Sequence, residues 1–424
     1  MPKPDKKNLL FIGANLLLLA LLTFKGPVLI ADSPTYLSPS PYRTPIYPLF
    51  LAALKFLSPG HFMGLAVFIQ TALAMSGALL FCRALKARLG WNAAMTLSAY
   101  VLLLLPLFKI PLCPLGQEIG NTIASEGLAY PAFLGLCAAG LRALCEPAFR
   151  TLLPLAFACA FCAAIRPQLL FTYPLFLSAV LTAWHKKAVA PLKLGTALLA
   201  LLLFHGAFSL SQKIYSGFSP NPFTRQQLLT TVLYVSGPED AALFETSEDS
   251  ATIKAVFSRI EELKAFAGQR HLFQRSLAEH HEQSFNPICW LSLHQSFDAV
   301  LDQNITAKER LGRLNDAYGR MLSVLVPAKK TDLAKFYLMM LWQNSSLTLL
   351  AAFCFMLYFM RVYDISRPEN LFALMCWLLA LCNLLLLSFS ATVADRYLLY
   401  TRPLLILSLL ALFHSWKKPR EAAL

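Results

Sequence analysis

Charged side chains are scarce in this chain. Asp, Glu, Lys and Arg together make up 14% of it, acids are fewer than bases (23 against 37), and 57% of residues are hydrophobic. Mean hydropathy is +0.55. So little charge excludes a disordered or highly solvated chain and points to an integral membrane protein. No CxxC pair of pairs and no HxxxH cluster suggests a metal site, and neither internal repeats nor low-complexity tracts occur. Cofactors and metals are therefore not expected. Of ten cysteines, Cys82, Cys137, Cys145, Cys159, Cys162, Cys354, Cys376 and Cys382 fall inside apolar spans, where cysteine serves as a small hydrophobe. Cys113 and Cys289 fall in polar connections and could pair in an oxidising compartment. The Cys159–Cys162 CxxC lies mid-span among alanines and phenylalanines, which favours packing over redox chemistry.

What is abundant is long apolar runs. Spans of membrane-crossing character read near 8–30, 61–83, 92–110, 126–145, 150–165, 168–184, 194–211, 338–360, 370–389 and 399–415. The predicted fold class is thus an all-α membrane protein of about ten transmembrane helices. An even count puts both termini on one side, and the absence of a small-residue cleavage site after the first span favours an anchor over a removed signal. Basic residues orient the bundle. One set of ends carries sixteen: Lys3, Lys6, Lys7, Arg83, Lys86, Arg88, Arg142, Arg150, Lys186, Lys187, Lys193, Arg361, Arg367, Lys417, Lys418 and Arg420. The other short ends carry seven: Lys25, Arg43, Lys55, Lys109, Arg166, Arg396 and Arg402. This predicts cytoplasmic termini and puts the juxtamembrane loop 31–60 outside, in a bacterium the periplasm.

Residues 212–337 interrupt the pattern, giving three predicted parts: 1–211, 212–337 and 338–424. The middle segment holds 14 Lys+Arg and 14 Asp+Glu, so the net charge of +14 belongs wholly to the membrane parts. Topology explains that charge and nucleic acid is not implied. Helical rhythm over Asp249 to Gly268 and Ile305 to Val326 predicts a small, mostly helical periplasmic insertion between spans seven and eight.

The polar residues left on the outer side are few. The first loop, ADSPTYLSPSPYRTPIYPLFL over 31–51, holds Asp32, Tyr36, Tyr42 and Arg43, with five prolines that prevent an unbroken helix. An apolar tract, Tyr47 to Leu57, then returns the chain to the membrane surface. Glu118 and Glu126 flank the start of span four, Arg166 joins spans five and six, and Asp395, Arg396, Tyr397 and Arg402 open span ten. Each has a plainer reading. The loop could be an ordinary connection, Glu126 and Arg166 a structural pair, Arg402 a snorkelling side chain, Asp395-Arg396 a surface pair, and His205 and Gln212 packing residues. Ionisable residues at the hydrocarbon boundary are costly, however, and mark functional candidates. Arginines provide fixed bidentate donors for a phosphate, and a nearby Asp can take a proton from an attacking hydroxyl.

The ordered features are a first span, an early Asp32, the R-x-P-x-Y-P run Arg43-Thr44-Pro45-Ile46-Tyr47-Pro48, Ser125-Glu126, Arg166-Pro167 and Arg396-Tyr397. In that order the chain resembles the GT-C superfamily of polytopic glycosyltransferases, on the side of the protein O-mannosyltransferases and the lipid A aminoarabinose transferase. The resemblance covers most of 8–211 and, more weakly, 338–410. It implies transfer of a sugar, with inversion, from a polyprenyl-phosphate-linked donor to a lipid, glycan or protein acceptor at the periplasmic face of the inner membrane. Asp32 would be the base, Glu126 would orient a sugar, and Arg43, Arg166 and Arg396 would hold the donor phosphate. Tyr36, Tyr42 and Tyr397 would line the substrate site. The acidic pair often found in the family's first loop is Asp32-Ser33 here, so no metal is implied. The alternative is a lipid-linked sugar flippase or transporter, or a polysaccharide polymerase-like protein. A transporter would place its ionisable residues near mid-membrane on broken helices.

Overall fold

The computed structural model describes residues 6–30, 32–38, 40, 43–109, 118–217, 222–245, 249–273, 276–301, 305–343, 354, 367–390 and 398–417. Described residues are overwhelmingly helical, and the one extended pairing among them is an isolated parallel bridge, Val28 to Thr122. Among the described residues four helices are long and apolar enough to cross a membrane: Phe62–Leu89, Glu126–Cys145, Pro191–Tyr215 and Pro368–Leu387. Shorter apolar helices cover Phe11–Lys25, Ile46–Leu57, Ala93–Leu107, Phe149–Ile165 and Arg402–Ser415. The segment 338–360 lies mostly outside the described residues.

The chain divides into two compact units. The first takes in the described residues of Met1–Ser211, Phe353–Asn383 and Asp395–Leu424. Its helices are α1 (Lys6–Lys25), α2 (Ser33–Leu37), α3 (Ile46–Leu57), α4 (Phe62–Leu89), α5 (Ala93–Leu104), α6 (Glu126–Cys145), α7 (Phe149–Ile165), α8 (Tyr173–His185) and α9 (Pro191–Ser216). The predicted loop 31–60 therefore contains two helices, because its prolines cluster at helix starts: Pro34 in the first turn of α2 and Pro45 as the N-cap of α3. Local rules also set other ends. Gly90 stops α4 in a left-handed conformation at φ +66°, its N–H donating to the Lys86 carbonyl, and Asn92 caps α5 by accepting from the Met95 N–H.

The core of this unit is the packing of α4 against α6, which needs residues without bulk. Gly77 meets the Pro131 backbone, and a Cβ on Gly127 would lie 2.3 Å from Gln70 Oε1. Gln70, 1% exposed, donates to the Gly120 and Thr122 carbonyls at 3.0 Å each, and Thr71 also donates to Gly120. These bonds satisfy the backbone that leads into α6, which no helix or strand would otherwise pair. By contrast Leu16, Leu17, Phe24, Leu192, Leu202 and Leu203 stand exposed on α1 and α9. Helices apolar on their outward faces belong in lipid.

A second unit comprises the described residues of Gln212–Ala352 and Leu384–Ala394, with helices α10 (Pro222–Val235), α13 (Gln295–Val300) and α15 (Lys330–Gln343) among its elements. It has its own core, with Leu233, Phe257, Ile260, Ile288, Tyr318 and Met321 among the buried residues. Helix α11 is Ser250–Glu262, shorter than the rhythm to Gly268 suggests because Lys264 adopts φ +52° and ends the helical path. Helices α12 (Leu277–Asn286) and α14 (Ala307–Ala328) each open on a reciprocal cap, Ser276 with Glu279 and Thr306 with Glu309. Cys289 is fully buried in this core with a free thiol, rather than sitting in a polar connection, and Cys113 lies outside the described residues. His280 and His281 are buried side by side. His280 bridges the Tyr234 hydroxyl and the Lys264 carbonyl, whereas among the described residues neither ring nitrogen of His281 has a hydrogen-bond partner. The His281 ring lies among Tyr234, Phe336 and Phe285, at centroid distances of 4.7, 5.0 and 5.8 Å.

Two outcomes are expected. Gly127→Ala forces Gln70 off two carbonyls and costs about 1–3 kcal/mol, seen as a lower melting temperature of the purified protein in detergent. Burial, reinforced by His280, holds His281 down to about 4 from the usual 6.5. Below pH 6.5 the unfolded chain binds a proton that the folded chain refuses. Stability contributed by His281 is therefore complete above that pH and is lost as pH falls towards 4. Melting curves should show a shallower acid loss in His281→Leu than in the wild type over that window.

Candidate functional site

The site is assembled by the backbone running into α6. Residues 118–125 lie beside 26–30: Val28 N–H donates to Asn121 O, Ile123 N–H donates to Val28 O, and the Asn121 amide donates to the carbonyls of Leu22 and Gly26. Lys25 at the end of α1 pairs with Glu118. Buried Ser33 donates to the Ile123 carbonyl at 2.8 Å, and Thr44 donates to the Ile165 carbonyl at 2.7 Å. The first loop is thus fastened at one point to the entry of α6 and at another to the end of α7.

Two ion pairs result. The Arg43 guanidinium reaches Asp32 at 2.8 Å, Thr35 Oγ1 at 2.7 Å and the Tyr36 hydroxyl at 3.3 Å, with its carbon 4.5 Å from the Tyr36 ring centre. This pair remains accessible, with Asp32 32% and Arg43 21% exposed. Deeper in, Arg166 meets Glu126 at 2.5 Å, at 13% and 7% exposure. Arg166 arrives there because Pro167 excludes the helical region for the residue before it. At φ −148° and ψ 113° it leaves the helical path at the end of α7, while Glu126 occupies the first turn of α6.

Tyr36 joins the pairs. Its hydroxyl lies 3.0 Å from Ser125 Oγ, and its ring is within electrostatic reach of Glu126, Arg43 and Arg166 together. Burial, then the Glu126 carboxylate, push its phenol up, so Tyr36 stays protonated and able to donate. Behind Arg166 runs a neutral chain. Arg166 Nε donates to Gln168 Oε1 at 3.2 Å, Gln168 donates to Asn383 at 3.1 Å, and Asn383 lies 3.4 Å from Thr401 Oγ1. Asn383 comes from α16 (Pro368–Ser390), and Thr401 immediately precedes α17 (Arg402–Lys417).

Five sequence-predicted residues therefore come together: Asp32, Tyr36, Arg43, Glu126 and Arg166. Tyr42, Asp395, Arg396 and Tyr397 lie outside the described residues. Glu118 serves the Lys25 pair, away from that cluster's hydrogen bonds, and His205 accepts or donates to Tyr173 at 2.7 Å as a packing residue. Sequence reading missed Thr35, Gln70, Gln168 and Asn383. The signal for Gln70 and Asn383 was an amide inside an otherwise apolar span. Among the described residues no group of three or more His, Cys, Asp or Glu side chains could hold a metal.

Two guanidinium groups and two carboxylates on separate segments give fixed donors for an anion and, at Asp32, an accessible proton acceptor. Comparison of the chain with protein-family models, with curated proteins and with solved structures gives no match.

Breaking the deeper pair from one side leaves an uncompensated buried charge. Arg166→Gln or Glu126→Gln alone should each cost about 3–5 kcal/mol, and the double variant should recover part of that loss. Thermal unfolding of the four proteins measures the difference.

Proposed function

We propose that the protein is a GT-C type membrane glycosyltransferase that moves a sugar from a polyprenyl-phosphate-linked donor to an acceptor at the periplasmic face. In this reading ten helices cross a bacterial inner membrane, both termini are cytoplasmic, and the first loop and the 212–337 segment are periplasmic. The observation that carries the proposal is the juxtaposition of the Asp32–Arg43 and Glu126–Arg166 pairs, bridged by Tyr36 and Ser125. The order of motifs that resembles the superfamily supports it further.

The chemistry follows from the geometry. The donor phosphate is an anion with several acceptor oxygens, and the Arg43 fork is already aimed at an anionic oxygen, that of Asp32. As phosphate takes the guanidinium, Asp32 loses its counter-charge and becomes a better proton acceptor. The acceptor hydroxyl attacks the anomeric carbon from the face opposite the phosphate, so configuration inverts. A new C–O bond forms, the bond from that carbon to the phosphate oxygen breaks, and its electron pair stays on the phosphate. Asp32 accepts the hydroxyl proton. Arg43 and Arg166 stabilise the negative charge growing on the leaving group, an effect strongest where water is excluded. Glu126 holds Arg166 in place and offers its second oxygen to a sugar hydroxyl.

Transfer of radiolabelled sugar from polyprenyl-phosphate donors should occur in membranes carrying the wild type. At equal protein level Asp32→Asn should lower it at least a hundredfold, within the range expected for loss of a general base. Equal transfer by both proteins would remove Asp32 from the mechanism.

A further inference from the structure

Tyr400 lies in the turn just before α17 and is 1% exposed. Its ring packs edge-on against Phe133 at 5.4 Å and lies 6.3 Å from Tyr130. Among the described residues the hydroxyl has no hydrogen-bond partner, although Arg166, Glu126 and Tyr36 are all within electrostatic reach of it. Buried hydroxyls nearly always find a partner, so an orphan beside a candidate ligand site calls for one from outside the chain. Next to it in sequence, Thr401 ends the neutral chain that runs back through Asn383 and Gln168 to Arg166. Among the described residues the two charges in the deeper part of the site pair with each other, and the groups that continue behind Arg166 are amides and a hydroxyl.

We propose that Tyr400, with this amide chain behind Arg166, forms a subsite for an uncharged, hydroxyl-rich sugar, making the donor a neutral hexose-type glycosyl phosphate. The inference rests on the glycosyltransferase reading and deepens it. The arginines bind the phosphate, and the Tyr400 hydroxyl bonds a ring hydroxyl of the sugar. An amino sugar or a uronic acid would bring a further charge into a buried setting where Glu126 and Arg166 already neutralise each other, and would be rejected for it. A site built around a hydroxyl discriminates strongly against ligands that leave the partner group unpaired.

The test uses the full-length protein in lipid nanodiscs, with bare undecaprenyl phosphate and the same lipid phosphate carrying a neutral hexose, an amino sugar or a uronic acid. Wild-type protein should bind bare undecaprenyl phosphate and bind the neutral-sugar form roughly tenfold more tightly, with no such gain for the two charged sugars. Tyr400→Phe keeps the ring and should retain bare-lipid binding and melting temperature while losing the neutral-sugar gain. A charged sugar bound as tightly as the neutral one, or an undiminished gain in Tyr400→Phe, would overturn the subsite. The wild-type ranking across the panel decides the matter even if the variant does not fold. Failure of the wild type to bind bare undecaprenyl phosphate or any of the three donors would instead overturn the glycosyltransferase reading, and the subsite with it.

Discussion

A carboxylate and a guanidinium buried together among membrane helices constrain everything around them, because neither can be left half-paired. Glu126 and Arg166 meet only if α6 begins and α7 ends at one level, and if Pro167 turns Arg166 off the helical path at the end of α7. Much of the first unit serves that condition. Gln70 and Thr71 hold the backbone entering α6, Gly127 leaves room for Gln70, and Ser33 and Thr44 tie the first loop to both sides of the pair. With the deep pair fixed, the accessible Asp32–Arg43 pair is brought beside it through Tyr36 and Ser125. The cluster is an accessible ion pair standing on a buried one, and in the proposed reading Glu126 and Arg166 both hold the fold and serve the donor. The structural reading of that pair and the functional one do not compete.

Much of this was readable in the residues. Apolar runs marked the helices closely, as 126–145 against Glu126–Cys145 and 150–165 against Phe149–Ile165, because lipid demands both length and apolarity. Asp32, Arg43, Glu126 and Arg166 stood out since charge in such surroundings is costly. Other features were hidden for physical reasons. The helices inside loop 31–60 are short and proline-initiated, so periodicity could not reveal them. Gln168 and Asn383 lie 215 residues apart and bond only through the tertiary fold. Cys289 looked polar by its neighbours in sequence, yet it faces a core built from distant segments. Lys264 ended a helix whose apolar rhythm continued, because a single left-handed residue leaves no trace in hydropathy.

The second unit achieves stability by a different route from the first. Its net charge is balanced, two of its helices open on side-chain caps, and one of its buried groups is an imidazole kept neutral among aromatic rings. Balanced surface charge also leaves it without a strong electrostatic preference for anionic lipid headgroups.

The clasp at the end of α1 carries a mechanical consequence. Exposed leucines give this helix a lipid-facing side, while its last turn is bound through Lys25, Leu22 and Gly26 to the segment 118–121. Four residues further on, that segment becomes Ser125 and Glu126. In the proposed ten-helix reading α1 crosses the bilayer, so a bilayer thicker or thinner than it prefers changes its tilt, and the clasp passes that tilt to the chain positioning the carboxylate. Membrane thickness is therefore a variable of the site's geometry, reaching it through one lysine, one asparagine and the peptide units between them.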